Sequence, residues 1–111
     1  MKIYIENIWD ELSKSNIIID ERLFSDCVSF QLQEIRKTAM EKILIAVPEY
    51  KQRNAALGLL SAQEEQQVKD AIQEIRTISN SLEQQILSVS WDGQESSRAA
   101  ACDAVQNIRW P

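Results

Sequence analysis

Apolar residues recur at helical spacing over most of this chain. From Val68 onward they fall at Val68, Ile72, Ile75, Leu82, Ile86 and Val89, in alternating steps of four and three, with Ser79 in the polar slot of the register. This is a heptad seam, which asks for a partner helix along its length. Ser79 within it would fix register at a cost in stability. A second stripe runs through Phe24, Val28, Leu32, Ile35, Ala39, Ile43 and Ala46. Asp20 is the predicted N-cap of that helix, because its carboxylate can accept from the open first-turn amides. Pro48 stops it, since proline disfavours the α conformation in the preceding residue. The predicted helix spans about 27 residues, or roughly 40 Å.

Between the stripes, Pro48 suits the first turn of a short helix from Glu49 to Leu57. Gly58 then tolerates the left-handed end of that helix. Ser61-Ala62-Gln63-Glu64 is a capping box that opens the heptad helix, which runs to about Ser90. Trp91-Asp92-Gly93 is a turn. Ser96 or Ser97 caps a last helix, Arg98 to Ile108, with Ala101, Ala104, Val105 and Ile108 on one side. Two long helices of similar length joined by about a dozen residues predict an antiparallel hairpin with the last helix packed against it. The same heptads also permit pairing between chains, as a homo-oligomer.

The first residues are less helical in pattern. Ile3 and Ile5 alternate with Lys2, Tyr4 and Glu6, which reads either as a short strand or as the start of a helix running to Leu12 and Lys14. Ser13 to Asn16 is a break, and the β-branched triplet Ile17-Ile18-Ile19 favours an extended segment. Two such strands alone are marginal in water, so an extended pair would complete itself on a partner's sheet edge. The expected fold class is all-α: a long antiparallel helical hairpin, a short C-terminal helix and a short extended N-terminal segment. The chain reads as one domain, residues 1–111, divided into an N-terminal segment (1–19), a helical hairpin (20–90) and a C-terminal helix with a Trp-Pro tail (91–111).

Composition agrees with long helices: hydrophobic content is 44%, with only 2 Gly and 2 Pro. Twelve bases against 17 acids give a net charge of −5, and no basic block exists, so phosphate neutralisation on a nucleic acid is not expected. The longest apolar run, Ile43 to Val47, is far too short to cross a bilayer. No secretory signal is visible at the start, and Cys27 and Cys102 lie far apart in sequence. Both are expected as free thiols in a reducing cytoplasm.

Histidine is absent, which removes the usual general base and the commonest metal ligand. The acidic pairs Asp20-Glu21, Glu64-Glu65 and Asp92 with Glu95 have a local explanation near helix starts, where a carboxylate meets the positive end of the helix. With only Gly58 and Gly93, no phosphate-cradling loop forms. The chain is therefore expected to be non-catalytic, with no cofactor and no metal, and to bind protein. Its interface candidates are Trp9, Trp91 and Trp110, because large amphipathic rings are enriched at binding hot spots. Core anchoring is the competing role for Trp9 and Trp91. Trp110, followed only by Pro111, either folds back or docks into a partner, and docking is favoured. Tyr50, Lys51 and Arg53 form a further patch, whose alternative is a solvated connector.

Specific motifs carry a family likeness. Pro48, Tyr50, Lys51, Gln52, Arg53 and Asn54, followed by an acidic run and by Ile72, Ile75, Arg76, Ser79, Asn80, Leu82 and Glu83, resemble a segment of small bacteriophage tail proteins. The ending Val105-Gln106-Asn107-Ile108-Arg109-Trp110-Pro111 resembles the hydrophobic-Trp-Pro tails of phage tail-fibre assembly proteins. Trp91-Asp92-Gly93 with Ser97-Arg98 is a fainter echo of tail assembly chaperones. The likeness covers Pro48 to Pro111. It implies a tail-fibre assembly chaperone or fibre-associated accessory protein that binds a trimeric fibre, with Ile108 and Trp110 among the partner-binding residues. It also implies action in the host cytoplasm during assembly, with retention in the virion tail as the related reading. An acidic helical inhibitor of a host protein, encoded by a phage or mobile element, is the alternative that size and charge permit.

Overall fold

The computed structural model describes Ile3 through Pro111. Met1 and Lys2, part of the predicted N-terminal segment, lie outside the described residues. In chain order the elements are β1 (Ile5–Asp10), β2 (Ser15–Asp20), α1 (Phe24–Ala46), α2 (Glu49–Ala56), α3 (Ala62–Ser88) and α4 (Glu95–Gln106). The expected all-α class is corrected by the first two: the fold is mixed, with four helices and an antiparallel β-hairpin among the described residues.

The hairpin forms where the sequence left strand and helix open. Asp10 pairs with Ser15 and Ile5 with Asp20, in a continuous register. Local turn chemistry closes the four intervening residues. The Asp10 carboxylate accepts from the Leu12 amide (3.3 Å) and the Ser13 hydroxyl (2.7 Å), and Lys14 takes a left-handed φ of 55°. An Asp at the start of a turn commonly bonds its own backbone two residues on. That closure ends any helix through Leu12, while Ile17-Ile18-Ile19 supplies β-branched residues to the returning strand.

Asp20 is not a helix cap. It ends β2, and α1 begins at Phe24 after Leu23, with no side-chain cap. The two long helices otherwise follow their stripes. Cys27, Gln31, Ile35 and Ala39 are buried along α1, and Val68, Ser79, Leu82 and Ile86 along α3. The heptad seam is thus filled from within the chain: α3 folds back along α1, with Arg36 paired to Glu83 across them. Ser61 caps α3 by accepting from the Glu64 amide (3.1 Å), and its hydroxyl donates to the Glu64 carboxylate (3.1 Å). Gly58, with φ of 72°, ends α2 in the conformation glycine permits. The predicted cap of α4 is corrected as well, because the N-cap is Gln94, three residues before Ser97.

The main core sits where α1, α3 and α4 meet. Cys27, Ile35, Leu82, Ile86, Cys102 and Val105 form it, with Phe24, Val28, Leu32, Val89, Ile108 and Trp110 around it. Because α4 has only 12 residues, it covers one end of the α1–α3 pair, and the other end is two helices thick. The molecule is therefore long, at 70 × 29 × 21 Å. Its radius of gyration is 20.4 Å, against about 13 Å for a compact chain of this length.

Candidate functional site: an anchored apolar hairpin

β1 and β2 make a two-stranded sheet with no third strand among the described residues. Strand alternation places Ile5, Trp9 and Ile18 on one face and Ile8, Ile17 and Ile19 on the other. Both faces leave apolar side chains open: Ile18 is 73% and Trp9 51% exposed on the first, Ile8 and Ile17 each 41% on the second, where Ile19 is half-buried, and Leu12 at the tip is 96% exposed. The Trp9 indole donates to the Glu11 carboxylate (2.9 Å), so its polar end is satisfied while its ring faces solvent. Lone hydrophobic residues on a surface are ordinary, whereas large exposed apolar patches are the general signature of interaction surfaces.

The root of the hairpin is fixed. Arg22, only 2% exposed, lies between the end of β2 and α4. Its guanidinium donates twice to the Asp20 carboxylate (2.9 and 2.7 Å), to the Gln106 side-chain oxygen (2.6 Å) and to the Ala99 carbonyl (3.3 Å), and it pairs with Asp103 (2.8 Å). From α4, Arg98 donates to the Asp20 carbonyl (2.5 Å) and Gln106 donates to the Ile3 carbonyl (2.7 Å). Both ends of the hairpin are therefore tied to one helix. The Arg22 contact holds the Asp20 carboxyl below the usual carboxylate range, and the two acids raise the Arg22 pKa further. Beneath them, the Cys102 thiol faces the Arg22 carbonyl at 3.9 Å. Burial pushes the Cys27 thiol up to about 12, and the neighbouring Cys102 adds to it. Both cysteines are free, as expected, and the fold buries them together in one core.

The residues singled out by sequence do not converge. Trp9 is on the hairpin. Trp91 packs against Phe24 with ring centroids 5.6 Å apart, and its indole donates to the Gln94 carbonyl (2.9 Å) and the Ser97 hydroxyl (3.1 Å). Ser97 in turn donates to Asp92 (2.6 Å), so Trp91-Asp92-Gly93 and Ser97 together build the turn into α4. Ile108 is half-buried against the core, and its carbonyl accepts from Gln31 (2.7 Å). Trp110 folds back onto α1: its indole donates to the Ile35 carbonyl (3.1 Å) and Lys42 stands over its ring at 5.2 Å. A cleft of about 360 Å³ beside it is lined by Phe30, Gln31, Glu34, Thr38 and Arg109.

Tyr50, Lys51 and Arg53 sit on α2, at the two-helix end. Tyr50 is 65% exposed, Lys51 is half-buried, and Arg53 pairs with Glu49 (3.5 Å). Their neighbour Gln52 donates to the Val47 carbonyl (2.7 Å), which closes the end of α1. Arg22, the centre of the hairpin's anchor, was missed by sequence reasoning. A signal existed in Asp20-x-Arg22 after a β-branched run, where a two-residue spacing lets the pair close on itself.

Among the described residues no cluster of ligands for a metal ion is present, and no helix is long and apolar enough to cross a membrane. Compared with protein-family models, curated proteins and solved structures, the chain has no match.

Proposed function

We propose that this chain is a non-catalytic binding protein of a phage tail, acting as a tail-fibre assembly chaperone or as a fibre-associated accessory subunit. The observation that carries the binding role is the hairpin, whose root is held by Arg22 while Ile5, Ile8, Trp9, Ile17 and Ile18 stay open to solvent. A rigidly presented apolar surface loses little conformational freedom on docking, which favours recognition over folding upon binding. The phage assignment rests on the likeness of Pro48–Pro111 to tail proteins. In this reading the hairpin covers an apolar surface of the fibre during assembly in the host cytoplasm and blocks premature association. A trimeric fibre then carries several copies.

Co-expression with the neighbouring tail-fibre gene, followed by size-exclusion chromatography with light scattering, tests this. The expected result is a stable complex with a fibre that is insoluble when made alone, and loss of that complex in Trp9→Ser. A soluble fibre that ignores this protein would overturn it.

A further inference from the structure

We propose that, in the free protein, the outer edge of β2 pairs with β2 of a second copy, giving a four-stranded antiparallel sheet at the centre of a two-fold dimer. Natural edge strands are usually blocked by charges, prolines or bulges. From Ser15 to Ile19, β2 has no charge, proline or glycine, and it carries three consecutive isoleucines. At the Asp20 end the carbonyl already accepts from Arg98, which limits the open edge to the residues before it.

Symmetry restricts the register. In an antiparallel pair, residues directly opposite project to the same face. A two-fold axis perpendicular to the sheet therefore sets each residue opposite one of its own parity. Centred on Ile18, the axis places Ile18 against Ile18, Ile17 against Ile19, and Asn16 against Asp20 at the limit of the ladder. No like charges meet. The same operation on β1 is worse. Centred on Ile8 it opposes Glu6 to Asp10, and centred on Asn7 it opposes Asn7 to itself and Glu6 to Ile8. Like charges directly opposite are destabilising, and both registers of β1 carry the Glu6 carboxylate into the new ladder, whereas β2 is uncharged from Ser15 to Ile19, so β2 is the better self-complementary edge.

The second copy also supplies what the hairpin lacks. Two strands alone are marginal, whereas four with an apolar face are an ordinary sheet. The central residue of the register is Ile18, at 73% exposure the most exposed apolar side chain of either strand. In the dimer, Ile5, Trp9 and Ile18 of both copies share one face. The α1–α3 seam takes no part, because it is filled within each chain.

The test uses the full chain alone, by light scattering over a wide concentration range. The expected mass is that of two chains, falling by half in Ile18→Lys at unchanged helix content by circular dichroism. A one-chain mass at every concentration, or a dimer that Ile18→Lys leaves intact, would overturn the proposal. Should Ile18→Lys fail to fold, hydrogen exchange on the unsubstituted chain decides. Asn16–Ile19 amides that become slower as concentration rises support the edge, and concentration-independent exchange refutes it. Fibre binding is not measured in either assay, so the two readings fail separately.

Discussion

Replacing Arg22 by Met should release the hairpin from the helical body before it unfolds that body. Methionine keeps much of the buried aliphatic volume and removes every side-chain donor, leaving the residue's backbone amide on Asp20 (3.2 Å). The Asp20 carboxylate then loses a two-pronged ion pair, and the Gln106 side-chain oxygen loses its 2.6 Å donor. Removing one partner of a buried pair typically costs about 3–5 kcal/mol, because the other charge is left unpaired. Asp20 is 18% exposed and can recover some water, while Asp103 is 60% exposed and loses little. The expected cost is therefore about 2–3 kcal/mol, below that range because both acids keep some access to water.

The loss should be local. The bonds at risk join β2 to α4, whereas the α1–α3 contacts do not involve Arg22. Native-state hydrogen exchange reads this directly. A cost of that size corresponds to roughly 30- to 150-fold faster exchange, at 1.36 kcal/mol per tenfold. The acceleration should appear in the protected amides of β1 and β2, with much smaller changes in the middle of α3. Equal acceleration in the hairpin and in α3 would show that Arg22 supports the whole core. Unchanged hairpin exchange would show that the strands are held by something other than this anchor.

Acid should act through the same joint. The Asp20 carboxyl lies below its usual value in the folded chain, so its contribution is present above about pH 4 and is lost as pH falls below that. Hairpin exchange measured from pH 6 downward should therefore accelerate near and below about pH 4, and Asp20→Asn should remove that dependence. Base should act on the core. Cys27 titrates in the folded chain at about 12, above an unfolded value near 8.5, so its stabilisation is complete below about pH 8.5 and declines as pH rises further. Urea midpoints at rising pH should fall, and the fall should be smaller in Cys27→Ala. Leu82→Ala, at the centre of the three-helix core, should cost about 2–5 kcal/mol in urea denaturation, and a loss under 1 kcal/mol would contradict its place there. Deleting Trp110 and Pro111 should leave helix content intact but expose Ile35, Thr38 and Lys42, read as a lower melting temperature.

The helices were legible because their signals are local and periodic. The α3 seam, Ser61 as its cap, Pro48 and Gly58 all carry their meaning within a few residues, and each sits where the pattern put it. The start of α1 was not legible. Asp20 has the chemistry of a cap, but a guanidinium two residues away competes for the same carboxylate and wins with two bonds. The acceptors that complete Arg22's shell come from Ala99, Asp103 and Gln106, some eighty residues further on. No window of sequence contains that arrangement. The hairpin was half legible: its isoleucines announced extended chain, but the closure depends on Asp10, Ser13 and Lys14 acting together.

The conspicuous motifs also turn out to have structural occupations. Trp91, Asp92 and Ser97 build a helix start, Gln52 closes α1, and Trp110 lies on α1. Residues already used in this way are costly to recruit for a partner, because docking must first break their internal bonds. The isoleucines of β1 and β2 have no polar bond to break, and Trp9 has one, to the exposed Glu11 at the hairpin tip; their side chains are displayed by an anchored sheet and make few contacts with the helical body. Tyr50 and the neighbouring apolar residues Leu57 and Leu59 are exposed too, but at the end that α4 does not reach, where only the short α2 lies against α3. The hairpin thus combines open apolar surface with a fixed root, and a small protein that binds another through a preformed surface needs both.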